Sequence, residues 1–452
     1  MSSSVREDVR PAPAGRMPAR SASSSVHKIL IAFLAIGLLL EIGAFRMQLG
    51  GIDPSLSIEA GSGSTFVQVL MGLINLAAAG LLLCSRQSSM MLRRAWPLFL
   101  MPALAFASML WSPEPEFTFR KSVAFLGTVL FGFLIATVMD SRDAVRLIVR
   151  ALSLAVLLSV AWVFLFPEYG THNATDYYQA VHAGAWRGIF SHRTVLGNMA
   201  ALTFALLICY GSSIWASRVI RYTLIVLSIV CVIKANSGGG FLTAAIVPVL
   251  ILFTQVLAGL SARGRALLLM TTVTIILPLI LFSSDLLTLG LSVLHKQPNL
   301  TGRVPLWNAL LTLAHEQPFL GFGFAAGFAY EVQPRVFALT GFQYAHCHNG
   351  YLEALIAFGY IGLGICLMVL MWLLSNTGKF VLAAPSHLRY LSGFPFVLVM
   401  YVAGINCIES LLVTEGTFTV TLLALAGGLV ARTRKSPGIS IVALAPAYDR
   451  AN

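Results

Sequence analysis

The sequence predicts an all-α, polytopic membrane protein of about twelve transmembrane helices, with a long outer loop that contains short helices. Three features lead to this expectation. Of its 452 residues, 57% are hydrophobic and only 11% charged, against about 25% charged in an ordinary soluble domain. A chain this apolar needs the bilayer as its solvent. Its apolar residues recur in runs near the length, about 17–25 residues, that carries a helix across the hydrocarbon core. Its basic residues are also unevenly shared between alternate connections, as topology requires of a multi-span protein.

Residues 1–27, rich in Ser, Ala, Pro and Arg, hold little to bury and are expected to form a disordered tail. The run from Ile29 to Phe45 lacks a small-residue cleavage site and reads as a retained span rather than a cleaved signal peptide. Spans are predicted over 29–45, 66–84, 96–111, 123–139, 145–166, 195–211, 220–233, 241–258, 266–282, 351–373, 391–407 and 416–431. With the N-terminus inside, more than two thirds of the thirty Lys and Arg fall on the inner side. This orients both termini toward the cytoplasm, with 28–431 a single transmembrane domain and 432–452 a cytoplasmic tail. The net charge of +12 is thereby explained by topology, and no nucleic-acid partner is expected. The six cysteines form no CxxC pair and read as small packing residues, not as a disulfide framework or zinc site.

Histidine is distributed the other way. Only His27 and His387 fall inside; the remaining seven of nine fall outside. Two outer segments, about 167–194 and 283–350, are much longer than the rest. Such loops are usually functional or disordered, and Trp186, Trp307 and many Phe and Tyr argue against disorder.

Four stretches of these loops are candidates for chemistry. In the second loop, Thr301-Gly302-Arg303 precedes Pro305, which suits a first helical turn. Leu306, Leu310 and Leu313 share one face with Trp307 and Leu311 beside it, predicting a short amphipathic helix at the membrane surface. Arg303, just before its start, reads as a phosphate-gripping guanidinium or as a headgroup contact. Pro318-Phe319-Leu320-Gly321-Phe322-Gly323 permits tight turns but lacks the context of a nucleotide loop. Then His346-Cys347-His348-Asn349-Gly350-Tyr351-Leu352-Glu353 runs into the tenth span, whose N-terminal amides favour an anion. A histidine there could take a proton from an attacking hydroxyl, or it could be an ordinary interfacial residue. Two histidines with Glu353 alone supply too few ligands, so no metal is expected. The first loop ends in Trp186-Arg187-Gly188-Ile189-Phe190-Ser191-His192-Arg193, a further cationic cradle or a headgroup contact. Arg120, near the interfacial Trp111, could add another cation. Glu41, inside the first span, would be costly facing lipid and is expected toward the bundle interior.

In order and spacing these segments resemble the O-antigen ligase and Wzy-type polymerase family, including its ExoQ-like exopolysaccharide branch. The resemblance covers about residues 100–375. It rests on Leu110-Trp111-Ser112-Pro113 with Arg120, on Gly188 through Gly197, on Thr301-Gly302-Arg303 with Trp307, on Pro318 through Gly323, and on His348 through Glu353. Arg193-Thr194 stands where the family pattern usually has Lys-Asn. The resemblance implies a GT-C-like helical body and a metal-independent glycosyltransferase, without cofactor, that uses a glycan on undecaprenyl pyrophosphate at the periplasmic face of the bacterial inner membrane. It implies that Arg187, Arg193 and Arg303 grip the pyrophosphate and that His348, or else His346, serves the acceptor hydroxyl. Arg120, His192, Trp307, Asn349 and Glu353 would complete the glycan and pyrophosphate contacts. Membrane lipids and a chain-length regulator are the further partners it suggests. Polymerisation of exopolysaccharide or O-antigen is the favoured reading and ligation to a lipid A-core acceptor, as in lipopolysaccharide, the alternative. A twelve-span solute transporter is the contrasting class. It would place polar groups at midplane in broken, duplicated helices, and the best such break, Lys234 through Gly240, falls at an outer loop.

Overall fold

A computed structural model describes residues 20–50, 65–174, 180–281, 303–383 and 389–433. The first tail up to residue 19, the stretch 282–302 with Thr301 and Gly302, and the last tail lie outside the described residues. The principal helices, in chain order, are α1 (Arg20–Glu41), α2 (Thr65–Leu83), α3 (Leu100–Ala107), α4 (Pro115–Val138), α5 (Ser141–Leu165), α6 (Arg193–Tyr210) and α7 (Arg218–Ala235). They continue as α8 (Gly238–Gly259), α9 (Ala262–Leu281), α10 (Arg303–Ala314), α11 (Gly350–Ala383), α12 (Phe394–Ile405) and α13 (Phe418–Thr433). Every predicted span overlaps one of them, and the described residues contain no strand beyond an isolated bridge between Thr171 and Trp186. Six helices (α2, α4, α5, α6, α8 and α11) are long and apolar enough to cross a membrane. This is a multi-pass membrane protein. Helix α1 starts at Arg20, ahead of its apolar run, so residues 20–27 are helical where a disordered tail was expected.

Helices α4 and α13 pack along most of their length, and α6 sits among α5, α7 and α8. Small residues permit the close approach: a Cβ on Gly132 would lie 2.4 Å from the Thr421 carbonyl oxygen, and one on Gly428 would lie 2.5 Å from Ala136. Lipid tails supply no hydrophobic drive between spans, so such backbone proximity and the dispersion it allows hold them together. Glu41 ends α1 with 2% exposure, on the interior side expected of it.

The second long loop forms its own small core. Leu306, Leu310 and Leu313 of α10 bury against Phe322, Val332, Val336 and Cys347 and the start of α11. The predicted amphipathic helix therefore exists, but its apolar face meets protein instead of the membrane surface, and it takes in Arg303 as its first residue, where Arg303 was expected just before its start.

Helix α11 is broken at Gly359, where φ is 65° and ψ −166°, a region open essentially to glycine alone. A broken helix inside a bilayer must find other partners for its freed backbone groups. The Pro318–Gly323 stretch supplies them. The N–H groups of Phe322 and Gly323 donate to the carbonyls of Ile356 and Ala357 at 2.8 and 3.0 Å, and the Tyr360 N–H donates to the Pro318 carbonyl at 2.7 Å. The glycine-rich motif is thus a splint for the break in α11.

Candidate functional site

The functional side chains gather where the N-termini of α6, α10 and α11 meet the connection between α12 and α13. That connection is stitched to α11. The Gly350 N–H donates to the Asn406 carbonyl at 2.8 Å, the Asn349 N–H to Ser410 Oγ at 3.1 Å, and Asn349 Nδ2 to the Cys407 carbonyl at 3.3 Å. Asn349 Oδ1 accepts from the Tyr351 and Leu352 N–H groups and so caps the helix. From the other side, Trp307 Nε1 donates to the Cys347 carbonyl at 3.1 Å. One indole thereby ties the Arg303 helix to the histidine loop.

Within this frame Arg303 Nη2 lies 3.4 Å from Glu409 Oε1, with the carboxylate side chain only 10% exposed. Ring nitrogens of His346 and His348 and a Glu409 oxygen lie within 4.8 Å of one another. The two imidazole centroids are 4.0 Å apart. His348 adopts φ 50°, a left-handed conformation that costs a non-glycine residue about 1–2 kcal/mol. In that conformation its N–H donates to His346 Nδ1 at 3.2 Å. Burial, then the neighbouring His346 and Arg303, push the His348 imidazole down to about 2; burial and Arg303 push His346 down to about 4. Both rings are therefore neutral. His346 has its Nδ1 committed and carries its proton on Nε2. His348 Nδ1 is buried with no hydrogen-bond partner among the described residues.

Arg193 opens α6. Its Nη1 donates to the carbonyls of Ala235 and Asn236, in the turn between α7 and α8. Its Nε, also buried, has no hydrogen-bond partner among the described residues. Arg193 and Arg303 both act electrostatically on Glu409, whose carboxyl is nevertheless raised above the usual carboxylate range because burial outweighs them. His192 caps α6, accepting from the Thr194 N–H at 3.2 Å. It packs with His172 and His182 at centroid distances of 5.2 and 5.6 Å. Burial first, then His172, His182, Arg193 and His346, hold its imidazole well below the usual range. His192 of the first long loop thus lies within electrostatic range of His346 of the second. The Lys234–Gly240 stretch belongs to this rim and not to a midplane break.

Other predicted residues lie elsewhere. Arg187 is fully buried. Its Nε and Nη2 donate to the carbonyls of Tyr169 and Glu168, so it braces the first loop. Arg120 is exposed, 6.0 Å over the Phe117 ring. One residue on, Lys121 turns inward and pairs with Glu415 at 2.5 Å. Glu353 accepts from Thr414 Oγ1 at 3.3 Å, on the same connection as Glu409. Sequence reasoning passed over Glu409, His172 and His182. Glu409 had a signal: a carboxylate in a short connection between two apolar spans, on the outer side where the histidines collect.

The pair of histidines with Glu409 has a donor set that a divalent cation could use. Arg303 already pairs with that carboxylate and Arg193 lies within electrostatic range of it, so a dication would be repelled by both. The charges suit an anion better.

Residues 223–367 match the Wzy_C family, described as O-antigen ligase. Over that stretch the chain is similar to the O-antigen ligase family. The matched stretch contains Arg303, Trp307 and the histidine loop, while Arg193 and Glu409 lie before and after it. The chain is also similar to the exopolysaccharide production protein ExoQ of Rhizobium meliloti (strain 1021), at 25% identity over 285 residues. The alignment covers 60% of this chain and 63% of the relative, less than two thirds of its length.

Proposed function

We propose that this protein joins oligosaccharide repeat units carried on undecaprenyl pyrophosphate into exopolysaccharide or O-antigen, at the periplasmic face of the bacterial inner membrane. The reading rests on one observation above all. Arg193 and Arg303, each at a helix N-terminus, share a cluster with a neutral histidine whose Nδ1 is unengaged. The guanidiniums and helix ends suit a pyrophosphate, and the imidazole suits a hydroxyl that must lose a proton.

In the reaction, the acceptor hydroxyl oxygen bonds to the anomeric carbon of the donor sugar as the bond from that carbon to the pyrophosphate oxygen breaks. Undecaprenyl pyrophosphate leaves, its developing charge held by Arg193 and Arg303. The hydroxyl proton passes to His348 Nδ1, and the anion now beside the ring favours the imidazolium that forms. No metal is required, because fixed cations do the work of one.

To test this, Arg303→Ala and His348→Ala are introduced into otherwise polymerising cells and surface polysaccharide is resolved by gel. Each is expected to lower turnover roughly 100-fold or more, leaving short or single-repeat products. Unchanged long chains in well-expressed variants would refute the assignment. With purified protein, EDTA is expected to leave turnover unchanged; a loss restored by a divalent ion would assign His346, His348 and Glu409 to a metal instead. The description of the matched domain favours, as a second reading, transfer to a lipid A-core acceptor. In that case the variants would lose glycan from lipid A-core while free polymer persisted.

A further inference from the structure

Glu409 is misplaced for a protein whose task is to hold an anion. It is buried in the middle of the cationic cluster, 8% exposed, and its charge opposes the substrate that the arginines would bind. A purely structural carboxylate would be expected to make paired contacts with a guanidinium. Here Arg303 reaches Glu409 through a single Nη2–Oε1 contact at 3.4 Å, long for a charged pair. Meanwhile two polar groups of the same cluster, Arg193 Nε and His348 Nδ1, are buried and unsatisfied. Buried polar atoms are nearly always paired, so both point to a ligand that completes the site. The carboxylate also lies within 4.8 Å of both imidazoles.

We propose that Glu409 is a positioning residue that stands in for the donor's phosphate while the site is empty, and that donor binding transfers Arg303 from this carboxylate to the pyrophosphate, leaving Glu409 to orient the His348 imidazole. The exchange follows from charge: a pyrophosphate carries more negative charge than one carboxylate, so at similar distances it attracts the guanidinium more strongly. Before exchange, Glu409 keeps a buried arginine from standing uncompensated. After exchange, it is a buried acceptor beside a ring that is about to become positive, the relation that fixes tautomer and orientation of a histidine base. No covalent step is added to the reaction.

The inference rests on the proposed pyrophosphate site, and the experiment separates the two. Undecaprenyl pyrophosphate, the leaving group common to every donor in this reading, is titrated into purified full-length wild type, Glu409→Gln, Glu409→Asp and Arg303→Ala, and turnover is measured in parallel. Glu409→Gln removes the competing charge at nearly constant shape. It is expected to bind this lipid about tenfold more tightly, a change of about 1.4 kcal/mol, while kcat falls at least tenfold. KM and kcat thus fall together, which a structural lesion does not produce. Glu409→Asp retains the charge and is expected to restore wild-type affinity and part of kcat, and it carries the test if the Gln variant fails to fold. Equal or weaker binding by a folded Glu409→Gln, or undiminished turnover, overturns the inference and leaves the pyrophosphate site standing. Wild type that binds no undecaprenyl pyrophosphate, or binds it as Arg303→Ala does, overturns the site and the inference with it.

Discussion

His346 and His348 look equivalent in sequence, two residues apart beside the same helix. One hydrogen bond separates them. The His348 N–H is donated to His346 Nδ1, which leaves His346 only its protonated Nε2 and no free lone pair at neutral pH. His348 keeps an unengaged Nδ1, so it is the ring with a lone pair open to an incoming hydroxyl. The expected outcome is therefore asymmetric. His348→Gln, which cannot accept a proton usefully, should lower kcat by about 10²–10⁴. His346→Asn, whose side chain can still accept the backbone N–H, should cost far less, within roughly tenfold. Steady-state turnover of the two purified variants decides between them, and equal losses would mean that the hydrogen bond does not assign the roles. A histidine doublet was visible in sequence, but no spacing rule distinguishes its members. The distinction depends on a left-handed φ at His348, and a left-handed histidine cannot be read from composition.

At the scale of elements, what matters is how helix ends are made to meet. The amphipathic pattern of Leu306, Leu310 and Leu313 correctly announced α10, yet the partner of that face is the loop from Phe322 to Cys347. Periodicity identifies a buried face without identifying what buries it. The glycine motif around Gly321 and Gly323 was read as permissive backbone; its purpose appears only beside the break in α11. That break is testable. A Cβ on Gly359 would lie 2.3 Å from the Phe319 carbonyl carbon, in a backbone region closed to other residues. Gly359→Ala is expected to destabilise by about 1–3 kcal/mol through backbone strain and by a comparable amount through overpacking. Gly364→Ala, in the same helix with nothing within 4 Å of the added Cβ, should be neutral or mildly stabilising. Monodisperse yield and thermal midpoint in detergent measure the contrast. Similar midpoints for the two would show that the break is not what the glycine is for.

For the molecule as a whole, the buried imidazoles at this rim couple folding to pH. His182 and His346 are pushed down to about 4 and His348 to about 2, and His192 lies well below the usual range, in each case chiefly through burial. An unfolded chain protonates these rings near pH 6.5 while the native state keeps them neutral. Between those values the unfolded state binds more protons, so stability falls as pH falls. Glu409, raised by burial, runs the other way and offsets part of this effect. The thermal midpoint is expected to be nearly level from pH 8 to 7 and to decline steadily below about pH 6.5. His182→Gln should make the decline shallower. A midpoint that rises on acidification to pH 5 would contradict this account.

Composition and apolar run length alone determined the class of this protein, because no solvent but a bilayer accommodates so much continuous apolar helix. The same reading found the positions of the helices, and the outer loops rich in Arg and His in which four members of the cluster lie. The tertiary structure alone decided which of those cations share a site. Arg303 pairs with Glu409 and Arg193 stays within electrostatic range of it, whereas Arg187 gives its donors to carbonyls inside the first loop and Arg120 faces outward. The physical reason is that a side chain's charge is a local property but its partner is not. Glu409 is more than a hundred residues along the chain from Arg303, and only the stitching of α11 to the connection between α12 and α13 brings the carboxylate to the histidines.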